Sequence, residues 1–333
     1  MMKNRISRRL VPALCILALL CALSFASRVL KPKRFDYGST WGQFLKEKKD
    51  SVDVLFFGTS KTYCNIIPAT IWKETGLRSY VMAGPAQTLP VTYYYLRESL
   101  KTQSPKVIFV EITGLIYAHE TEYQMINVGY MPFGVNKIQA ILGETTGQNR
   151  LGALSSLYAY HTRWSSVGRE DLRIALHGYS KDDLAGYTFL SDATPMDGTV
   201  AWGSRYEDSD YERNYAYLKK IAALCEEENI EVVFYLSPSC AVFKYDFQPF
   251  FEPMVEAIEH SRYVDFNQYA AEMNIDDQTD YFDFMHFNVY GAEKFSAWLA
   301  AWMQREYDLP ASGSDTELWQ HRYDVLRNKL GTH

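Results

Sequence analysis

The sequence is poor in the residues that build disulfide frameworks and metal sites. It has five cysteines in 333 residues, and two of them, Cys15 and Cys21, lie in an apolar run. The others are Cys64, Cys225 and Cys240, an odd number with no Cys-x-x-Cys or Cys/His metal spacing. A disulfide framework is therefore not indicated. We expect three free thiols, with one bridge between Cys64 and Cys240 as the alternative, and the residues predict no metal and no cofactor.

The sequence also lacks an excess of positive charge beyond its N-terminus. Residues 1–34 contain eight of the 34 basic residues and none of the 40 acidic residues, which leaves 26 basic against 40 acidic residues in the remainder. An acidic body is poorly suited to nucleic acid, so we expect no nucleic-acid partner. No internal repeat or low-complexity tract is present. A composition of 47% hydrophobic and 22% charged residues is typical of a globular protein.

One long apolar run lies within this basic N-terminus. Residues 10–27 contain no charge, Arg8 and Arg9 precede them, and Arg28 follows. About 18 apolar residues can span a bilayer or form the core of a signal peptide. The basic flank predicts a cytoplasmic N-terminus and a body outside the cytoplasm, at the cell membrane. We favour an uncleaved, single-pass transmembrane anchor, with cleavage after Ala26 as the alternative.

Short apolar runs of strand length alternate with amphipathic helices along the rest of the chain. The predicted strands cover residues 52–57, 80–84, 106–112, 231–236 and 262–266. The predicted helices between and after them cover residues 68–74, 92–102, 211–229 and 291–307. This alternation predicts an α/β fold with a parallel sheet of about five strands that is covered on both faces.

The predicted domain organisation follows from this pattern. Residues 1–34 form the cytoplasmic N-terminus and membrane anchor, residues 35–50 a linker with a short amphipathic helix, residues 51–307 the α/β domain, and residues 308–333 a C-terminal extension. Residues 116–210, between the third and fourth strands, are far longer than one crossover helix requires. We therefore expect an insertion that shapes or covers the functional site.

A serine lies where the first predicted strand gives way to a helix. The strand ends in Gly58-Thr59-Ser60, and Gly84 ends the second strand. Ligands of parallel sheets bind beyond the carboxyl ends of the strands, where both segments lie. Ser60 is a candidate nucleophile at this edge. Its alternative role, which Thr59 could also fill, is to cap the helix.

An acid and a histidine occur together near the C-terminal end of the domain. Asp283 precedes His286 by three residues, just before a helix that begins near Gly291. A serine nucleophile needs a base to take its proton, and the base needs an acid to fix its tautomer. Ser60, His286 and Asp283 supply these three groups. Asp280 is an alternative acid whose spacing to His286 fits less well.

The other polar candidates do not define a specific site. His119, Glu120 and Glu122 match no strong metal-ligand spacing. Arg205 and Arg213 are candidates for contacts with an anionic substrate, with plain solvent exposure as the alternative.

Two of these segments resemble sequence blocks of a known superfamily. Gly58-Thr59-Ser60 and Asp283-Phe284-Met285-His286 resemble the first and last blocks of the SGNH (GDSL-type) hydrolases, with Thr59 in place of the usual Asp. The context YFDFMHFNVYGAEKFS is especially similar to the membrane-tethered branch, which includes the lipoteichoic acid D-alanylation protein and exopolysaccharide O-acetyltransferases. The resemblance implies a three-layer, SGNH-like (flavodoxin-like) fold.

The resemblance also implies roles for individual residues. Ser60, His286 and Asp283 would be the catalytic triad, and the amides of Ser60 and Gly84 would form the oxyanion hole. The third strand departs from the family pattern, because it continues as Glu111-Ile112-Thr113-Gly114 without the G-x-N-D block. The third oxyanion donor is therefore unassigned, with Thr113 or a backbone amide as candidates.

The expected function is O-acylation, in particular O-acetylation, of a cell-envelope or exported polysaccharide or a teichoic-acid-like glycan. The resemblance implies a multi-pass membrane acyltransferase as a partner. Two alternatives stay open: an esterase or deacetylase that uses the same triad with water, and a non-catalytic carbohydrate-binding or assembly component.

Overall fold

The computed structural model describes residues 2–33, 41–119, 121–202, 210–243, 247–311 and 313–331. Within these residues five parallel strands form the main sheet, in the order β2-β1-β3-β5-β7, and β4 pairs with β6 in a separate two-stranded sheet. The strands are β1 (Val54–Gly58), β2 (Ser79–Ala83), β3 (Val107–Glu111), β4 (Val200–Trp202), β5 (Glu231–Leu236), β6 (Ala241–Phe243) and β7 (Arg262–Asp265). The predicted α/β fold with a parallel sheet of about five strands is confirmed.

Helices cover both faces of the main sheet. They are α1 (Met2–Leu30), α2 (Trp41–Phe44), α3 (Ser60–Asn65), α4 (Pro68–Thr75), α5 (Leu89–Ser99), α6 (Gln124–Gly129), α7 (Val135–Glu144), α8 (Gly147–Leu154), α9 (Ser156–Tyr160), α10 (Arg169–His177), α11 (Tyr211–Glu227), α12 (Phe247–Glu256), α13 (Val289–Glu306) and α14 (Thr316–Lys329). Short 3₁₀ helices cover Thr113–Ile116, His161–Ser166 and Phe266–Tyr269.

Alternate residues of each strand serve two hydrophobic cores, one on each face. Leu55 and Phe57 of β1 face a core with α5 and α11, whereas Val54 and Phe56 face a core with α3, α4 and α13. Every residue of β1, β2 and β3 is buried. This double burial explains why the strands are continuous apolar runs without alternating polar residues. The result is a three-layer arrangement that is compatible with a flavodoxin-like fold.

The predicted linker at residues 35–50 needs correction. Residues 34–40 lie outside the described part, but α2 packs into the core, where Trp41 meets Tyr95 and Phe44 meets Tyr80 at ring-centroid distances of 4.9 and 5.1 Å. Two large aromatic side chains at 0–1% exposure anchor this segment to the body. Residues 41–50 therefore belong to the folded domain.

The predicted C-terminal extension also packs on the body. Helix α14 buries Trp319, Arg322 and Leu326. Arg322 pairs with Glu47 at 2.5 Å, and both side chains are at most 3% exposed. Because breaking a buried pair leaves an uncompensated charge, α14 and the segment after α2 depend on each other.

The long segment between β3 and α11 contains helices α6 to α10, the 3₁₀ helix His161–Ser166 and β4. At the N-terminus, Val11–Leu30 of α1 is, by length and composition, apolar enough to cross a membrane, and no other helix of the described residues meets this criterion. Cys64, Cys225 and Cys240 are buried free thiols, as expected, so the alternative bridge is not formed.

Candidate active site

The loop after β1 places Ser60 at the carboxyl edge of the sheet. Thr59 is the N-cap of α3, and its hydroxyl accepts the Lys61 backbone N–H at 3.4 Å and donates to Glu111 Oε2 at 2.8 Å. Ser60 is the first residue of the helix. Thr59 therefore fills the capping role, and the hydroxyl of Ser60 is left for another partner.

A glycine is required just before this turn. Gly58 has φ +146°, and a Cβ there would lie 2.5 Å from Thr62 Oγ1 and 2.6 Å from Glu111 Cβ. Any side chain at this position would displace the loop from the buried end of β3. The glycine of the Gly-Thr-Ser segment thus allows the sharp turn that presents Ser60.

Ser60 and His286, separated by 226 positions, lie within hydrogen-bond distance. Ser60 Oγ is 2.7 Å from His286 Nε2, and His286 Nδ1 is 2.9 Å from both carboxylate oxygens of Asp283. One neutral tautomer of His286 fits these hydrogen bonds. In it, Nδ1–H donates to the Asp283 carboxylate, and Nε2 accepts a hydrogen bond from the Ser60 hydroxyl. The structure therefore brings together the three residues that the sequence selects, in the order serine, imidazole, acid.

The loop that carries Asp283 and His286 is held by its own hydrogen bonds. Asp283 Oδ1 accepts the backbone N–H groups of Met285 at 2.8 Å and His286 at 3.0 Å. The Phe282 N–H donates to the His286 carbonyl at 2.9 Å. A three-residue spacing lets one carboxylate bind both the backbone and the imidazole of the same turn. Asn288 then caps α13 by accepting the N–H of Tyr290 at 3.0 Å.

Asn65 ties the serine helix to the histidine loop, and sequence reasoning missed it. Its side chain is fully buried, Oδ1 accepts the Phe287 N–H at 2.9 Å, and Nδ2 donates to Ser237 Oγ at 2.9 Å. Asn65 is the last residue of the six-residue helix that begins with Ser60. One short helix therefore holds both the serine and the backbone next to His286. A lone asparagine in SKTYCN carries no pattern that could have revealed this role.

Charges around the site favour an ionised Asp283. Burial raises the pKa of this carboxyl, but hydrogen bonds from His286 and the two backbone N–H groups outweigh burial and hold the pKa below its ordinary value. Lys61, the residue after Ser60, is 2% exposed and donates to Ser239 Oγ at 3.2 Å. Burial lowers the pKa of Lys61, although the negative charge of Glu111 opposes this effect.

Gly84 lies at the same edge, but its amide is already engaged. It follows Ala83, which pairs with Gly58 in the β1–β2 register, and its N–H donates to the Gly58 carbonyl at 3.3 Å. A Cβ at Gly84 would lie 2.3 Å from the buried Asn127 Oδ1, so only glycine fits. The Ser60 N–H, at the first turn of α3, has no carbonyl partner within its own helix. Of the two predicted oxyanion donors, Ser60 is the one whose amide is unengaged.

The weaker sequence candidates have other partners. Asp280 is 1% exposed and pairs with Lys294 at 2.6 Å rather than with His286. Thr113 donates both its N–H and its hydroxyl to Glu111 Oε1, so it is not poised as a third oxyanion donor. Arg213 pairs with Glu144 and, at 3.5 Å, with Asp210.

No metal-binding group of three His, Cys, Asp or Glu residues occurs in the described part of the chain. His119 Nε2 instead lies 2.8 Å from the Gly143 carbonyl. Glu120 and Arg205 lie outside the described residues.

The Ser60–His286 pair is partly exposed to solvent. The His286 side chain is 18% exposed and that of Asp283 is 39% exposed. A cavity of about 890 Å³ lies at the opposite edge of the sheet, where Lys106 precedes β3 and where Glu231 and Arg262 begin β5 and β7. That cavity therefore lies away from Ser60, at the other end of the strands.

Comparisons with known proteins give no assignment. No protein-family model matches the chain, and no curated protein matches it significantly.

Proposed function

We propose that this protein is a membrane-anchored O-acyltransferase with a serine nucleophile that acts on an envelope or exported glycan. The hydrogen-bond chain from Ser60 through His286 to Asp283 is the observation that carries the proposal. Its distances match those expected between a nucleophile, its general base and the group that orients the base. Thr59 supplies the cap of α3, so the alternative role of Ser60 as the helix cap is not needed.

The first half-reaction transfers the acyl group to the protein. Ser60 Oγ attacks the acyl carbonyl carbon of the donor, and its proton passes to His286 Nε2 while Asp283 stabilises the imidazolium. The Ser60 amide stabilises the tetrahedral oxyanion. The donor's carbon–heteroatom bond then breaks, and the leaving group takes the proton from His286. The product is an ester between Ser60 and the acyl group.

The second half-reaction releases the acyl group to the acceptor. A glycan hydroxyl attacks the Ser60 ester, and His286 takes its proton as general base. The bond to Ser60 Oγ breaks, and His286 returns the proton to that oxygen. The glycan gains one ester and the protein is restored. Water in place of the glycan would give ester hydrolysis by the same steps.

Three observations favour a glycan acceptor and a membrane location. Ser60 and His286 are partly exposed at the carboxyl edge of the sheet, where an external acceptor can approach them. The apolar helix Val11–Leu30 supplies a possible anchor. The two motifs resemble those of the membrane-tethered SGNH branch, whose members act in envelope and exopolysaccharide acylation. In this proposal a multi-pass membrane acyltransferase supplies acyl groups to Ser60.

The test is the ester-linked acyl content of the host's envelope polysaccharides in strains that carry single substitutions. Ser60→Ala should abolish the protein-dependent acylation at normal protein level and membrane location. The control Ser104→Ala, which removes an exposed hydroxyl that donates to Asp50, should leave acylation unchanged. Wild-type acylation in Ser60→Ala would contradict the proposal and favour a binding or assembly role. Increased acylation would instead identify an esterase.

A further inference from the structure

Several large apolar side chains of the inserted segment are exposed, on elements that all contact α1. Leu172 and Leu176, one turn apart on α10, are 43% and 65% exposed, while Ile174 and Ala175 of the same helix are buried at 5%. Helix α10 thus has an apolar face beyond the one that packs on the protein. Trp164 (75% exposed) and Tyr158 (50% exposed) lie on the preceding elements. We call Tyr158, Trp164, Leu172 and Leu176 the apolar patch.

The elements that carry the patch are packed against the end of α1. Helices α9 and α10 and the 3₁₀ helix between them all contact α1. Arg163 donates to the Leu30 carbonyl at 3.1 Å and binds both oxygens of Asp171 at 2.9 and 3.0 Å. Lys31 Nζ donates to the Gly129 carbonyl at 2.9 Å. The C-terminal end of α1 is therefore held against the inserted segment by these hydrogen bonds.

The contact begins inside the apolar span. Val11–Leu30 contains 20 residues, which at about 1.5 Å per residue extend roughly 30 Å, the thickness of a bilayer hydrocarbon core. Its side chains are exposed through Ser24 and become partly covered from Phe25. About six residues, or roughly 9 Å of helix, therefore lie beside the inserted segment. If α1 spans a bilayer, α9 and α10 lie at the boundary between headgroups and acyl chains.

The residue types in this region are those of a membrane interface. Trp and Tyr concentrate at headgroup level, and exposed arginines beside an apolar helix face favour anionic lipids. Residues 155–178 carry three arginines against two acidic residues, and two of the arginines, Arg163 and Arg173, pair with Asp171 and Glu170. Arg169 of this segment and Arg28 of α1 are exposed. The chain beyond residue 34 is strongly acidic as a whole. A small excess of positive charge therefore lies where the patch and α1 meet.

We propose that the apolar patch inserts into the bilayer surface beside α1 and docks the domain on the membrane in one orientation. The occupant of the patch is lipid, and the exposed Arg28 and Arg169 contact anionic headgroups. This inference rests on the proposed membrane anchoring. Docking would hold the Ser60 site at a fixed height and angle, which suits an acyl donor that emerges from the membrane.

Tryptophan quenching by lipid tests the docking directly. The full chain is placed in nanodiscs of phosphatidylcholine and phosphatidylglycerol whose acyl chains are brominated, and fluorescence is compared with that in unbrominated nanodiscs. Trp164 is 75% exposed, whereas Trp41, Trp302 and Trp319 are at most 2% exposed. We expect bromine quenching in the wild type that Trp164→Phe largely removes. The double substitution Leu172→Gln/Leu176→Gln should reduce it.

A matched substitution separates the patch from the rest of the protein. Trp298 is half-buried and packs on Phe266 and Tyr269, so Trp298→Phe should leave the quenching unchanged. If the wild type and Trp164→Phe are both incorporated into nanodiscs and are quenched equally, the docking proposal is overturned. The proposed membrane anchoring by α1 would be unaffected by that result. Failure of the chain to enter nanodiscs would refute the anchor and the docking together, without bearing on Ser60 chemistry.

A protein partner predicts a different pattern. Trp164 would be unquenched in lipid-only nanodiscs, and Leu172→Gln/Leu176→Gln would release a co-purifying membrane protein from the wild-type complex. That result would assign the patch to a protein interface and overturn the lipid assignment.

Discussion

Truncating Asn65 to alanine should impair the site without touching any member of the triad. Asn65 accepts the N–H of Phe287, the residue after His286, and donates to Ser237. These contacts lie in the interior, because Asn65 and Phe287 have no exposed surface and Ser237 is 1% exposed. Removing the amide leaves the Phe287 N–H without an acceptor, at a cost of about 1–3 kcal/mol of stability.

The larger effect should fall on the rate of Ser60 acylation. The His286 loop would move to find another acceptor, and a displacement of about 1 Å at a catalytic group costs on the order of 10²-fold in rate. The assay is the acylation of Ser60 by p-nitrophenyl acetate, followed by nitrophenolate release, with urea unfolding of the same preparation. We expect Asn65→Ala to lose on the order of 10²-fold in acylation rate.

Asn136→Ala is the matched control for this experiment. Asn136 is 3% exposed and donates to Glu98 Oε2 at 2.8 Å, on α7 and away from the His286 loop. Its truncation should lower stability by a similar amount, about 1–3 kcal/mol, and leave acylation at the wild-type rate. If Asn65→Ala also acylated at the wild-type rate while losing stability, Asn65 would be structural only and the positioning argument would be wrong.

Three further predictions concern the loop, the acid and the thiols. Asn288→Ala removes the cap of α13 and should cost about 0.5–2 kcal/mol in urea unfolding; an unchanged free energy of unfolding would contradict the capping role. The pKa of Asp283 is lowered by folding, so its contribution to stability is complete above the ordinary value of about 3.9 and is lost as pH falls through the folded-state pKa. The difference in free energy of unfolding between wild type and Asp283→Asn should therefore shrink from about pH 5 to about pH 2. A constant difference would contradict the stabilising role of ionised Asp283. Burial raises the pKa of Cys225 to about 12, so this thiol should react with a maleimide only after unfolding. Without reductant, all five cysteines should then be labelled, and three labels would indicate a bridge.

The sheet and the three polar residues of the site were accessible from the sequence for local reasons. Strands β1, β2 and β3 are apolar on both faces, and this burial leaves continuous runs such as VLFFG that are visible without a structure. Ser60 lies two residues after the end of this run. Asp283 and His286 share one turn, so their relation is also local.

The features that escaped prediction depend on contacts between distant segments. Asn65 acts on Phe287, 222 positions away, and nothing in its own neighbourhood marks it. Residues 35–50 look polar enough for a linker, but Trp41 and Phe44 find partners on β2 and α5 that only the fold supplies. Arg322 similarly pairs with Glu47 across 275 positions. The predicted donor Gly84 lies at the expected edge, yet its N–H is held by Gly58 because the β1–β2 ladder extends to that point.

The most direct test of the account is whether Ser60 itself carries the acyl group. The purified full-length protein is treated with an activated acetyl ester, quenched in acid, digested and examined by mass spectrometry. We predict one acetyl adduct on the peptide that contains Ser60, absent in Ser60→Ala and formed about 10²–10⁴-fold more slowly in His286→Ala, which lacks the general base. An adduct on another residue, or one that forms at the wild-type rate in His286→Ala, would contradict the proposed mechanism.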